Sequence, residues 1–94
     1  MELIFKNFFD KHLKKTPSST QAAVAKIIIV LEEATSLQTS GLNYKKIEGQ
    51  SKGEHFYRIR VGDWRIGIEY IHPNIIMICV LSRGTIYKQF PPGK

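Results

Sequence analysis

The order of apolar patterns along these 94 residues predicts an α+β fold: an N-terminal strand, then a helix hairpin packed on a mainly antiparallel sheet of about four strands. Three observations carry this. Val24, Ile27, Ile28 and Leu31 recur at i, i+3, i+4 and i+7, the stripe of an amphipathic helix. Alternating residues flank Gly62-Asp63, a two-residue hairpin loop of the kind with glycine first. A nearly continuous apolar run over residues 75–81 fits an interior strand buried on both faces. The length suits one domain over residues 1–94 with a single modest core.

Glu2–Phe5 is short and apolar enough for the first strand. Residues 6–15 place Phe8, Phe9, His12 and Leu13 at helical spacing, with Lys11, Lys14 and Lys15 outside. Thr16-Pro17 ends this helix and starts the next, because threonine can cap and proline suits a first turn. In the second helix, residues 18–34, Ala22, Ala23, Ala25, Ile29 and Val30 widen the stripe, which predicts burial on more than one side. Residues 35–43 are polar and read as a loop, and residues 44–47 suit a short extended segment. Gly49-Gln50-Ser51-Lys52-Gly53 lacks the GxxxxGKS/T spacing of a phosphate-cradling loop and reads as a linker. Residues 90–94 read as a short tail.

The hairpin loop sets a register. Val61 faces Trp64, Arg60 faces Arg65, Ile59 faces Ile66, Arg58 faces Gly67 and Tyr57 faces Ile68. One face, with Tyr57, Ile59, Val61, Trp64, Ile66 and Ile68, is then core for the helices. The other carries Phe56, Arg58, Arg60, Arg65, Gly67 and Glu69. Like charges directly opposite in an antiparallel pair cost a few tenths to about 1 kcal/mol. Such a local fault is expected at a functional site, and an anion relieves it, phosphate being the natural partner of guanidinium forks. Gly67 opposite Arg58 predicts a bare patch where a ligand can approach. Pro73 excludes a simple primed hairpin at His72-Pro73-Asn74, so the next register stays open. Arg83 joins the face of Arg65 only if Arg65 pairs near Leu81, which a loop of odd length would give.

Net charge is +6, which suggests an anionic partner such as nucleic acid, a membrane surface or an acidic protein. The single cysteine, Cys79, lies in an apolar run, so neither an intrachain disulfide nor a cysteine metal site is expected. No apolar segment follows a basic start as in a signal peptide, and the longest apolar runs are too short to span a bilayer. The expectation is a cytoplasmic protein without a membrane partner. With no cluster of His, Cys and Asp, neither a metal nor another cofactor is expected.

The phrases FYRIRVGDWRIGIEY and LSRGTIYKQFP, in the order strand, helix hairpin and three strands, resemble the RelE/ParE toxin superfamily of bacterial type II toxin–antitoxin systems. The resemblance covers nearly the whole chain and is closest to the RelE-like branch, whose members cut messenger RNA in the ribosomal A site. It implies a RelE-like fold and a catalytic set of Arg58, Arg60, Arg65, Arg83 and Tyr87. The four arginines, with Lys88, would hold RNA. It also implies a cognate antitoxin, the ribosome and mRNA as partners, with DNA met only indirectly through the antitoxin complex. Some members carry lysine where this chain has Arg58 and Arg60, and arginine is the better phosphate fork but the poorer proton donor. Branches with a histidine beside the tyrosine are not matched, since Lys88 follows Tyr87.

Such residues suit metal-independent RNA cleavage, in which a ribose 2′-OH attacks the adjacent phosphate. The step needs a base, stabilisation of charge on phosphorus, and a proton for the leaving oxygen. Arginines supply the second. A tyrosine hydroxyl ionises only near pH ~10 and needs positive neighbours to act as base; Tyr87 could instead stack on a nucleobase. His12, His55 and His72 lie away from the arginines in this reading. Weak acid–base equipment fits an enzyme whose substrate is positioned by the ribosome. The competing readings are a ParE-like inhibitor of DNA gyrase and an inactive homologue acting as a binding module. Arg65→Ala and Arg83→Ala are expected to abolish toxicity without unfolding, and Trp64→Ala to cost stability.

Overall fold

The strands fall in the expected places: β1 (Glu2–Phe5), β2 (Tyr44–Lys46), β3 (Phe56–Val61), β4 (Trp64–Ile71) and β5 (Asn74–Ser82). The helices are α1 (Asn7–Lys14), α2 (Ser18–Glu33) and a one-turn α3 (Ile86–Gln89). These come from a computed structural model that describes residues 1–90; residues 91–94 of the expected tail lie outside it. The α+β class holds, with five strands rather than about four, in the order β1-β5-β4-β3-β2. The added strand is the short segment at 44–46, where Tyr44 pairs with Ile59, Lys45 with Arg58 and Lys46 with Tyr57. Only β1 and β5 run parallel.

The β3–β4 hairpin has the register read from its loop, from Val61 opposite Trp64 to Phe56 opposite Glu69. Gly62 takes a left-handed φ of 58°, which a side chain would resist. At the next turn Ile71 pairs with Asn74, so His72-Pro73 is an even, two-residue loop. That parity alone would set Arg65 opposite Val80. A bulge corrects it: Ile68 pairs with Met77, Gly67 pairs with Cys79, and Ile78 is left over. Arg65 therefore stands opposite Leu81 after all, through a bulge and not through the loop.

α1 continues the line of β1, whose end is tied by the Lys6 N–H to the Met77 carbonyl at 2.9 Å. The helix then packs along β5 where β1 has ended. It buries Phe9 in the main core beside Val24 and Leu31 of α2 and Ile59, Ile66, Ile68, Ile75, Met77 and Val80 of the sheet. Trp64 and Tyr57 pack against the same core from partly buried positions.

Two local expectations are corrected. Thr16 does not cap α2. Its hydroxyl donates to the Leu13 carbonyl at 2.7 Å and so closes α1, while Pro17 occupies the N-cap of α2 without a side-chain bond. Nor is α2 buried on more than one side: Val24 and Leu31 are buried, and Ala22, Ala25 and Ile29 are exposed. Ala23, Ile27 and Ile28 pack against the same core, while Ala22, Ala25 and Ile29 widen the stripe outward without a second contact. No helix among the described residues is long and apolar enough to cross a membrane.

A second, smaller core lies on the opposite face of the sheet. Ile47, Ile78, Cys79, Ile86 and Phe90 are buried there, with Phe56, Ile76 and Leu81 against them. Phe90 is thus not part of a loose tail; it closes this second core.

Candidate active site

The sheet face away from α2 is built in rows across the strands. One row is Lys45, Arg58, Gly67 and Cys79; the next is Arg60, Arg65 and Leu81. Strand alternation puts all their side chains on one face. Just beyond Leu81 the chain turns, and the Arg83 N–H donates to the Asp63 carbonyl at 2.9 Å. This bond pins the segment carrying Arg83 to the hairpin loop. The Ser82 hydroxyl donates to Thr85 Oγ1 at 2.7 Å, and the chain enters α3 with Tyr87.

Arg65 is the centre of the group. It is 6% exposed, and its Nη1 donates to the Gly62 and Trp64 carbonyls, each at 2.8 Å. Burial lowers its pKa, and the charges of Arg58, Arg60 and Arg83 lower it further, while Tyr87 pulls the other way. Those are the other four residues of the expected set, all within electrostatic reach of one guanidinium. Among the described residues, none of the four arginines is ion-paired to a carboxylate. Glu69, on the same face, pairs across the strands with Phe56 and Ile76. The Nε of Arg65 and the Nε and Nη1 of Arg58 are buried without a protein hydrogen-bond partner. Buried charged donors of this kind are costly unless an acceptor arrives with a ligand.

A groove of about 450 Å³ opens beside them, lined among others by Lys45, Glu48, Gln50, Arg58, Tyr87 and Phe90. Tyr87 is 60% exposed in it. Of the expected set Arg58 and Tyr87 line this groove; Arg60, Arg65 and Arg83 do not, nor does Lys88, exposed on α3. Lys45 was not foreseen; its signal was the short apolar–basic alternation of Tyr44-Lys45, which pairs it with Arg58. Glu48 is a carboxylate on the rim, 3.7 Å from the Lys45 ammonium and widely exposed. Gln50 ties the preceding loop down, exchanging bonds with both backbone groups of Phe56 at 2.9 and 3.0 Å.

The bare patch expected at Gly67 is occupied. The ring of Phe90 and the Cys79 sulfur fill the space where a side chain would stand. Burial pushes the Cys79 thiol up to about 11, against an opposing hydrogen bond from the Gly67 backbone. His72 Nδ1 meets the Tyr70 hydroxyl at 3.1 Å, and His12 stacks on Phe8 in α1 and lines a smaller groove with Leu81, Gln89 and Phe90, away from the groove of Arg58 and Tyr87. Among the described residues no three His, Cys, Asp or Glu side chains are grouped as metal ligands are.

Comparison with known proteins supplies the lineage. The chain is 40% identical to Toxin RelE3 of Methanocaldococcus jannaschii over 91 residues, which is 97% of this chain and 100% of that one. This chain belongs to the RelE toxin family. The RelE toxin in the RelB-RelE antitoxin-toxin complex from Methanococcus jannaschii superposes with a TM-score of 0.77 at 39% identity, covering 94% of this chain and 99% of that one. The archaeal RelE-RelB complex from Pyrococcus horikoshii OT3 gives 0.66 at 21% identity, covering 88% and 94%, and shares the fold. No protein-family model matches the chain. The RelE family membership accords with the phrases on the β3–β4 hairpin and around Arg83 and Tyr87.

Proposed function

We propose that this RelE toxin is a metal-independent endoribonuclease that cuts messenger RNA on the ribosome and so halts translation in the cytoplasm. The observation that carries the reading is the gathering of Arg58, Arg60 and Arg83 around the buried guanidinium of Arg65, all unpaired with acid among the described residues and near an exposed tyrosine. A phosphate bound where the groove wall at Arg58 meets the neighbouring Arg60, Arg65 and Arg83 has guanidinium donors on more than one side. These attract it in the ground state and stabilise the extra charge on phosphorus when the 2′-oxygen attacks. Arg65, fixed by its two carbonyl bonds, loses little freedom on binding.

In this reading Tyr87 acts as its phenolate and takes the 2′-OH proton, becoming the neutral phenol. The 2′-oxygen bonds to phosphorus, the bond to the 5′-oxygen breaks, that oxygen takes a proton from water, and a 2′,3′-cyclic phosphate remains. Arg83 and Arg60, both exposed at the hairpin-loop end of the sheet, stabilise the departing oxygen as charge and not as ready proton donors. The chemistry leans on position, which the ribosome supplies by holding one codon in place.

The same basic face suits capture by an antitoxin. The similar archaeal toxins are found with RelB, and an acidic amphipathic segment would satisfy both the arginines and the neighbouring apolar surface. DNA would be met only through that complex.

The deciding experiment is purified protein with programmed ribosomes and a defined mRNA. The expected result is a cut in the A-site codon leaving a cyclic phosphate end, at an unchanged rate when a chelator selective for transition metals is added and the magnesium that the ribosome needs is kept. Intact mRNA together with blocked gyrase supercoiling would replace this reading with a ParE-like one. Intact mRNA, active gyrase and tolerated overexpression would make the chain a binding module.

A further inference from the structure

Tyr87 sits on a helix that cannot hold itself. α3 has four residues, far short of what stands alone in water. Its two flanking contacts are what fix it. Ile86 is 0% and Phe90 4% exposed, both in the second core, while Tyr87 between them faces out. The Phe90 N–H closes the turn on the Ile86 carbonyl at 2.9 Å. Its ring stands edge-on to Phe56, with centroids 5.4 Å apart.

The seat of that ring is Gly67. A Cβ there would lie 2.6 Å from Cys79 Sγ and 3.0 Å from two carbons of the Phe90 ring, closer than packed atoms stand. Gly67 is not among the glycines with positive φ, so its backbone would accept a side chain. The space would not. In its row, Lys45, Arg58 and Cys79 all carry side chains, and the one gap is where Phe90 rests. The plug also lines the same groove as Arg58 and Tyr87.

We propose that Gly67 and Phe90 form a socket and plug that position the Tyr87 hydroxyl beside the arginines, Phe90 acting as a positioning residue for RNA cleavage. The cleavage part rests on the function proposed above; the socket does not. Gly67→Ala crowds the Cys79 sulfur and pushes the plug out without substituting any side chain that lines the groove. Phe90→Ala removes the plug, and Phe90→Leu replaces part of it.

The test combines amide hydrogen exchange with single-turnover cleavage on programmed ribosomes. In Gly67→Ala the amides of Gln89 and Phe90 should exchange at least about tenfold faster, with β3 and β4 amides still protected, since local opening needs no global unfolding. Maximal cleavage should fall on the order of a hundredfold, as for a misplaced catalytic group, with the half-saturating ribosome concentration little changed. Phe90→Leu should recover much of what Phe90→Ala loses. In a Tyr87→Phe background, Gly67→Ala and Phe90→Ala should cost no further rate, because the group they position is gone. A full additional loss there would overturn the positioning role, and unchanged α3 exchange in Gly67→Ala would overturn the socket. Should Gly67→Ala fail to fold, Phe90→Leu and Phe90→Ala carry the same comparison. Wild-type protein that leaves mRNA intact would defeat the nuclease reading, and the socket would then stand or fall on exchange alone.

Discussion

Arg60 stands directly across the β3–β4 ladder from Arg65, and among the described residues neither is paired with a carboxylate. In a sheet selected only for stability this pair is a fault of a few tenths to about 1 kcal/mol. Arg60→Thr should therefore raise the melting temperature, by up to about 5 °C for a domain of this size. Inorganic phosphate should stabilise the wild type more than the variant, because a bound anion removes the same repulsion. Thermal melts with and without phosphate check both effects. A variant less stable than wild type would mean that Arg60 supports the fold.

Arg65 and Arg83 should separate where the sequence alone treats them alike. Arg83 is exposed, so Arg83→Ala should change stability by less than about 0.5 kcal/mol. Its cleavage rate should fall by roughly a hundred- to a thousandfold, as for loss of one transition-state donor. Arg65 is buried and holds two carbonyls of the hairpin. Arg65→Ala should also cost about 1–3 kcal/mol by stranding those acceptors. This amends the expectation that both substitutions spare the fold. Urea unfolding of the two variants tests it, and equal stabilities would count against the bonded role of Arg65.

What could be read in advance follows from how local each cause is. Gly62-Asp63 and the period-2 pattern lie within a few residues of each pair they specify, so the β3–β4 register and the Arg60–Arg65 opposition were legible. The β4–β5 register was not. It depends on a bulge at Ile78, a residue indistinguishable in kind from its apolar neighbours. Phe90 looked like tail because its partners, Gly67 and Cys79, are remote in sequence and their fit is a matter of volume. Gly67 did announce a special position; the space it keeps open is filled by the protein's own ring and not by a ligand.

Among the described residues, Tyr87 and Glu48 are the two oxygen-bearing titratable side chains that line the groove. Glu48 is occupied with Lys45 at the rim, whereas Tyr87 is within electrostatic reach of Arg65. If the Tyr87 phenolate takes the proton, Tyr87→Phe should lower the single-turnover rate by roughly a hundredfold or more, and Glu48→Gln should leave it within about twofold, since an exposed rim charge acts weakly. A Tyr87→Phe enzyme near wild-type rate, with Tyr87→Ala inactive, would assign the ring to stacking on a base.

His12 gives the fold a pH dependence separate from the site. Burial lowers its pKa below the ordinary 6.5, and the Lys15 ammonium lowers it further. Its Nδ1 is buried without a partner, so the folded chain resists the proton. As pH falls through about 6.5 the unfolded chain binds that proton first, and stability declines. The contribution is complete above 6.5 and levels off once pH passes below the folded-state value. Melting temperatures between pH 8 and 5 should fall more steeply for wild type than for His12→Gln, in which this proton is gone while the carboxylates titrate as before. Parallel curves would show that His12 takes its proton as readily in the folded chain as in the unfolded one.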